Sequence, residues 1–69
     1  LDGKYLLSTS DQHLSPAERV VAEYMLQGFT NKEIATVLGK SVSTVKNQVA
    51  ACLAKFGVAN RARFIVLFR

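Results

Sequence analysis

The stretch SVSTVKNQVAACLAKF, Ser41 to Phe56, carries two opposed patterns. Val42, Val45, Val49, Cys52, Leu53 and Phe56 recur at three- and four-residue steps, which makes one apolar stripe of a helix. The other side holds Ser43, Lys46, Asn47, Ala50 and Ala54, small or polar residues with one cation and no carboxylate. The stripe predicts a helix held down on one side. The remaining face is open to a negatively charged partner.

The flanking residues bound this helix at both ends. Ser41 is a natural N-cap and Gly57 a natural left-handed stop. Upstream, Thr30 and Glu33 have the spacing of a capping box, and Ile34, Ala35, Val37 and Leu38 continue as an apolar pattern. Gly39 ends that short helix. Only Gly39 and Lys40 then separate it from the Ser41 cap. So tight a joint disfavours two helices folded back along their full lengths and favours a steep crossing, the helix-turn-helix arrangement.

Further upstream, Ser15-Pro16-Ala17-Glu18 is another helix start, with a cap, a proline at the first position and the capping-box glutamate. Ala17, Val20, Val21, Tyr24 and Met25 share one face, Arg19 and Glu23 pair on the outside, and Gly28 closes the element. This helix is expected over about Pro16–Gln27. Downstream, Asn60 caps a last helix from Arg61 to about Phe68. Its run Phe64-Ile65-Val66-Leu67-Phe68 is apolar on nearly every side. Such a helix must be buried on more than one face, so Phe64, Ile65, Leu67 and Phe68 are candidates for a contact with a second copy. The alternative is that the whole run fills the core. Leu1 to His13 has no sustained period and reads as a linker or arm, His13 included. The expectation is an all-α domain of four helices over residues 14–69.

Sixty-nine residues make one small domain. A chain of this size buries only about 60% of its extended surface, so helix packing or a partner must supply much of its stability. One cysteine, Cys52, cannot form an internal disulfide, and its place on the apolar stripe makes it a small buried hydrophobe. That usage suits a reducing cytoplasm. No apolar run reaches the roughly 18–20 residues that span a bilayer, and no signal-peptide pattern is present. A first residue of Leu1 rather than Met suggests a piece of something longer, with processing as the alternative.

The formal charge is +4, unevenly spread. Residues 1–33 hold three basic and five acidic side chains, whereas residues 34–69 hold Lys40, Lys46, Lys55, Arg61, Arg63 and Arg69 and no acid. An acid-free basic half is the electrostatic footprint of a nucleic-acid binder. In a helix-turn-helix the second helix enters the major groove. Lys46 can then donate to guanine O6 or N7 or to phosphate, and Asn47 can pair with adenine N6 and N7. Ala50 allows close approach or touches a thymine methyl, and Ser43 shares that face. Ser41, Thr44 and the backbone N–H groups at the helix start suit a phosphate. Thr30, Asn31 and Lys32 offer a second such helix start, and Lys55 and Arg61 are outer backbone candidates.

The order of these parts is the specific signal. The stretch from Leu14 to Phe68 resembles the LuxR-type (GerE, FixJ/NarL-like) DNA-binding domain of bacterial transcription regulators. Leu14-Ser15-Pro16-Ala17-Glu18-Arg19 resembles the family's opening Leu-Thr-x-x-Glu-Arg. Gly28 followed by Thr30-Asn31-Lys32-Glu33-Ile34-Ala35, then Thr44-Val45-Lys46, Gly57-Val58 and Asn60-Arg61, resemble its further motifs. The resemblance implies a four-helix domain with the third helix in the major groove, two-fold DNA sites bound by a homodimer through the fourth helix, and an attached receiver or sensor domain upstream. RNA polymerase is a further candidate partner. By position, Lys46, Asn47 and Ala50 fall where the family reads bases, and Asn31, Lys32, Thr44 and Gln48 where it touches or orders phosphates. The arm Gly3-Lys4-Tyr5-Leu6 is weakly similar to the linker after a receiver domain.

Three departures stand out. Gln48 replaces a frequent His, Lys40 a usual Ile or Leu, and Ala50 and Ala51 longer polar residues. The alanines predict fewer direct base contacts and more reliance on DNA shape or a second subunit. No cofactor, metal or catalytic constellation is expected: there is one His, one Cys, and neither metal spacing nor a Walker-type loop. The competing readings are a helical protein-binding module, using residues 64–68 and the alanines at 50, 51 and 54, and a sigma region-4-like domain. The acid-free half favours DNA over a protein partner, and the Thr30–Ala35 and Thr44–Lys46 motifs favour the LuxR type over sigma.

Overall fold

The computed structural model describes residues 14–68; the expected arm over residues 1–13, with His13, and Arg69 lie outside the described residues. Four helices follow in order: α1 (Pro16–Leu26), α2 (Asn31–Leu38), α3 (Val42–Lys55) and α4 (Arg61–Leu67). No strand occurs among the described residues. The fold is therefore all-α, as expected, and each helix begins at its expected cap. Gln27 and Phe68, read as last helical residues, are the C-caps of α1 and α4.

Three of the turns are built alike. Gly39 takes the left-handed conformation (φ +66°), which a side chain would strain, and the Lys40 N–H closes the turn on the Ala35 carbonyl at 2.9 Å. After Gly28 and Gly57 the same bond runs from Phe29 to Tyr24 and from Val58 to Leu53, each 3.1 Å. This is the six-to-one bond of a Schellman turn.

The core is Val21, Ala22, Met25, Ile34, Ala35, Val45, Val49, Cys52, Phe64 and Phe68. Both α1 and α2 pack chiefly on α3, which is the central element. Phe56, Phe64 and Phe68 form a ring cluster with centroids 5.1–5.3 Å apart, mostly edge-to-face. That geometry is the favoured one for aromatic pairs, and it joins α4 to the end of α3.

Three expected stripe residues are corrected. Val20, Val37 and Val42 are 40%, 53% and 42% exposed. The inward face of α1 is rotated toward Ala22, which is wholly buried. Val37 lies on the outer side of α2, over a shallow hollow lined by Phe29, Lys32, Glu33 and Thr36. Val42 opens α3 before the first inward position, Val45. The terminal helix is also divided. Phe64 and Phe68 are taken up by the domain's own core, while Val66 and Leu67 are 60% and 52% exposed and Ile65 is half-buried. Phe64 and Phe68 are therefore withdrawn as contacts to a second copy.

Candidate nucleic-acid interface

The interface is built on α3, whose inward line of Val45, Val49 and Cys52 is buried. At about 100° per residue, the side away from this line carries Lys46, Ala50, Ser43 and Asn47 in one arc, and all four are exposed. The side chains of Lys46, Asn47 and Ser43 make no hydrogen bond or ion pair among the described residues. The structure thus brings the four expected base-reading residues together on one surface. Of the alanines, Ala50 and Ala54 are exposed but Ala51 is half-buried, so the continuous alanine face needed for a helix partner is narrower than expected. Thr44 and Gln48 lie one turn apart on the flank beyond Asn47.

The start of α3 is open. Ser41 Oγ accepts the Thr44 N–H at 3.1 Å, and the Ser41 hydroxyl donates to Thr44 Oγ1 at 2.9 Å. No acidic residue occupies the first turn. The Ser41, Val42 and Ser43 backbone N–H groups have no partner among the described residues. Such a helix start favours an anion.

The start of α2 differs. Thr30 Oγ1 accepts the Glu33 N–H at 3.1 Å, and the Glu33 carboxylate accepts the Thr30 N–H at 2.8 Å. This helix already holds an anion of its own. Asn31 Oδ1 accepts from the Arg61 guanidinium at 2.5 Å, and Arg61 also donates to the Phe29 carbonyl. Burial pushes the Arg61 pKa down from its ordinary value. Arg61 and Asn31 are therefore engaged in tying α4 to the loop before α2. Lys32 is exposed, and its ammonium has no partner among the described residues.

Lys55 is likewise engaged within the fold. Its ammonium meets Glu18 Oε1 at 2.6 Å, reaching from the end of α3 to the start of α1. The Glu18 carboxylate also accepts the Ser15 N–H at 3.0 Å. The Lys55 hydrogen bond, and then the one from the Ser15 backbone, hold the Glu18 pKa below its ordinary value. Cys52 lies beneath this corner and donates to the Glu18 carbonyl at 3.4 Å. Burial, with the nearby Glu18 charge, raises the thiol pKa to about 11. Cys52 is a core residue, as expected.

Lys40, a departure in the turn by sequence, makes a contact that spacing does not show: its ammonium donates to Gln48 Oε1 at 3.3 Å. Phe29 and Val58 follow the other two turn glycines, and of these three only Gly39 is followed by a charge.

A capped helix, a glycine turn and a second helix with a polar, cationic, carboxylate-free outer face define a helix-turn-helix domain. Residues 12–68 match the bacterial regulatory proteins of the luxR family, and the chain belongs to that family of DNA-binding transcription regulators. It is 40% identical over 53 residues to the spore germination protein GerE of Bacillus subtilis (strain 168), covering 77% of this chain and 72% of that protein. It is 36% identical over 52 residues to the probable transcriptional regulator ycf29 of Pyropia yezoensis, covering 75% of this chain and 23% of the relative. With the transcriptional regulatory protein RcsB of Escherichia coli (strain K12) it shares 38% identity over 50 residues, 72% of this chain and 23% of RcsB. The chain thus spans about a quarter of the length of ycf29 and RcsB. No solved structure gives a significant match. No helix among the described residues is long and apolar enough to cross a membrane, and no group of three or more His, Cys, Asp or Glu among them could hold a metal ion.

Proposed function

We propose that the chain binds double-stranded DNA sequence-specifically, with α3 in the major groove, as the effector domain of a transcription regulator. The observation that carries this reading is the outer arc of α3. Lys46, Asn47, Ser43 and Ala50 are exposed together, have no carboxylate among them, and are backed by a buried stripe. Lys46 and Asn47 carry the direct readout, because Ala50 offers only van der Waals contact. Thr44, Ser41 and Gln48 face one phosphate strand, and Lys32 adds an outer contact. Thr30 and Asn31, engaged within the fold, contribute less.

Two copies meet through Ile65, Val66 and Leu67 of α4, which leaves Phe64 and Phe68 to each core. The exposure of Val66 and Leu67 supports this. A receiver or sensor domain upstream, and RNA polymerase as a partner on DNA, complete the reading of the whole regulator, which acts in the cytoplasm.

The test is selection of sites from a random duplex pool at two salt concentrations. It is expected to return two related half-sites at a fixed spacing, with affinity falling steeply with salt. Recovery of no preferred sequence would overturn specific readout. Leu67→Glu is expected to abolish paired occupancy while leaving weak single-site binding, read by sedimentation with and without the selected duplex. A monomer unchanged by DNA in both proteins would overturn the dimer.

A further inference from the structure

Lys40 is costly to the fold where it stands. It follows Gly39 in the position where Phe29 and Val58 follow the other two turn glycines, and both of those pack against the core. An apolar contact there normally accompanies this turn. Lys40 instead places a cation one residue before the α3 cap, beside the positive end of the helix dipole, where a cation is disfavoured. The first turns of α1 and α2 contain Glu18 and Glu33, but that of α3 contains no acid to offset it. Among the described residues no carboxylate pairs with it.

The ammonium is nonetheless held in place. It donates to Gln48 Oε1 at 3.3 Å. An ammonium only donates, so the Gln48 oxygen must face Lys40 and its NH₂ must face away. That NH₂ has no partner among the described residues. Thr44, one turn before Gln48 on the same flank, accepts from Ser41 and keeps its own hydroxyl hydrogen to donate. Within this group Gln48 Oε1 and Thr44 Oγ1 each accept a bond from the protein, while the Gln48 NH₂ and the Thr44 hydroxyl hydrogen remain as donors. A helix lying in the major groove presents its two flanks to the two phosphate strands.

We propose that Lys40 is a phosphate contact of this chain, held by Gln48 and completing with Thr44 one seat for a DNA phosphodiester on the flank of α3. The proposal rests on the DNA-binding reading above and adds a charge to it.

The full chain would be titrated with two duplexes of about 30 base pairs, one carrying its selected site and one unrelated, across a salt series. Lys40→Met keeps length and removes charge. It is expected to lower the salt slope by about 0.9, and with it the affinity at 0.1 M salt by about eightfold, on both duplexes alike. Gln48→Ala is expected to weaken binding less, to keep the slope, and to cost less again when Lys40 is already Met. Helical circular dichroism checks that each variant is folded. In the wild-type chain, acetylation of lysine amines read by mass spectrometry is expected to show Lys40 protected by DNA. An unchanged slope for Lys40→Met, or an acetylated Lys40 in the saturated complex, would overturn the seat and leave the DNA reading standing. A loss confined to the selected duplex would also overturn it, by making Lys40 a base contact. Failure of the wild-type chain to bind either duplex would overturn both.

Discussion

Two kinds of helix start occur among α1, α2 and α3. Those of α1 and α2 are closed: Ser15 with Glu18, and Thr30 with Glu33, exchange hydrogen bonds of 2.8–3.1 Å, so each first turn carries its own carboxylate. That of α3 is open, with a serine cap, a threonine where the other two have glutamate, and a lysine just outside. The same backbone physics runs through all three, since each start leaves N–H groups that the helix cannot satisfy. The difference lies in who supplies the anion. Where the chain supplies it, the start serves stability. Where it does not, as at α3, the N–H groups stay open to an anion from outside; α4, also without an acid in its first turn, has only its Asn60 cap.

Closing the open start is the sharpest way to break this contrast. Thr44→Glu gives α3 the Ser-x-x-Glu spacing of α1 and α2. Thermal melts are expected to show a midpoint no lower than that of the wild type. DNA affinity is expected to fall on the order of 100-fold, about 2.7 kcal/mol, because the new carboxylate competes with phosphate and repels it. A variant that binds as tightly as the wild type would mean that the start of α3 is not where DNA lies. Lys46→Ala is the next step down. A loss of about 2 kcal/mol in binding to a selected duplex is expected, with helicity and melting unchanged. A matching loss of stability would make Lys46 part of the fold rather than of the interface.

Closed starts are legible from local spacing, because both partners lie three residues apart. The same holds for the turn glycines and for the inward line Val45, Val49 and Cys52. What spacing could not reveal is pairing across the chain. Arg61 with Asn31 and Lys55 with Glu18 join residues 30 and 37 positions apart, and each engages within the fold a cation that charge counting alone leaves for DNA. The valines show a different limit. Small domains have more apolar residues than core positions, and exposed apolar surface is ordinary, so periodicity admitted Val20, Val37 and Val42 and passed over Ala22. Phe64 and Phe68 were legible as apolar but not as already spent. Only the ring packing against Phe56 separates them from Leu67.

A closed start can be weakened without touching the open one. Glu18→Gln keeps a side-chain acceptor for the Ser15 N–H and removes the charge that Lys55 meets. A loss of about 0.5 kcal/mol in unfolding free energy at pH 7 is expected, from the screened pair with Lys55 and from the carboxylate's place at the start of α1, with DNA affinity unchanged. The pH dependence fixes the sign. The folded pKa of Glu18 is held below its ordinary 4.5, so its contribution is present above that value and lost as pH falls through the lower, folded value. Chemical unfolding of the two proteins is therefore expected to give curves that converge below pH 4.5 and separate above it. Parallel curves across the whole range would mean that the corner of α1 and α3 is held by packing alone.

The smallest effect tests whether Lys55 serves the fold or the DNA. Its pair with Glu18 is close at 2.6 Å, but the Lys55 side chain is 37% exposed, so solvent screens the attraction and the pair contributes at most a few tenths of a kcal/mol. Lys55→Met is expected to change stability by about that much. The decisive reading is the salt dependence of DNA binding. A lysine that neutralises phosphate adds about 0.9 to the slope; one that neutralises Glu18 adds little, because removing it exposes a carboxylate far from the arc of Lys46 and Asn47. An unchanged slope for Lys55→Met, beside a reduced one for Lys46→Ala, would place the end of α3 with the closed starts. A slope reduced equally in both would mean that the ion pair opens when DNA binds, and that the division between cations serving the fold and cations serving the ligand holds only in the unbound chain.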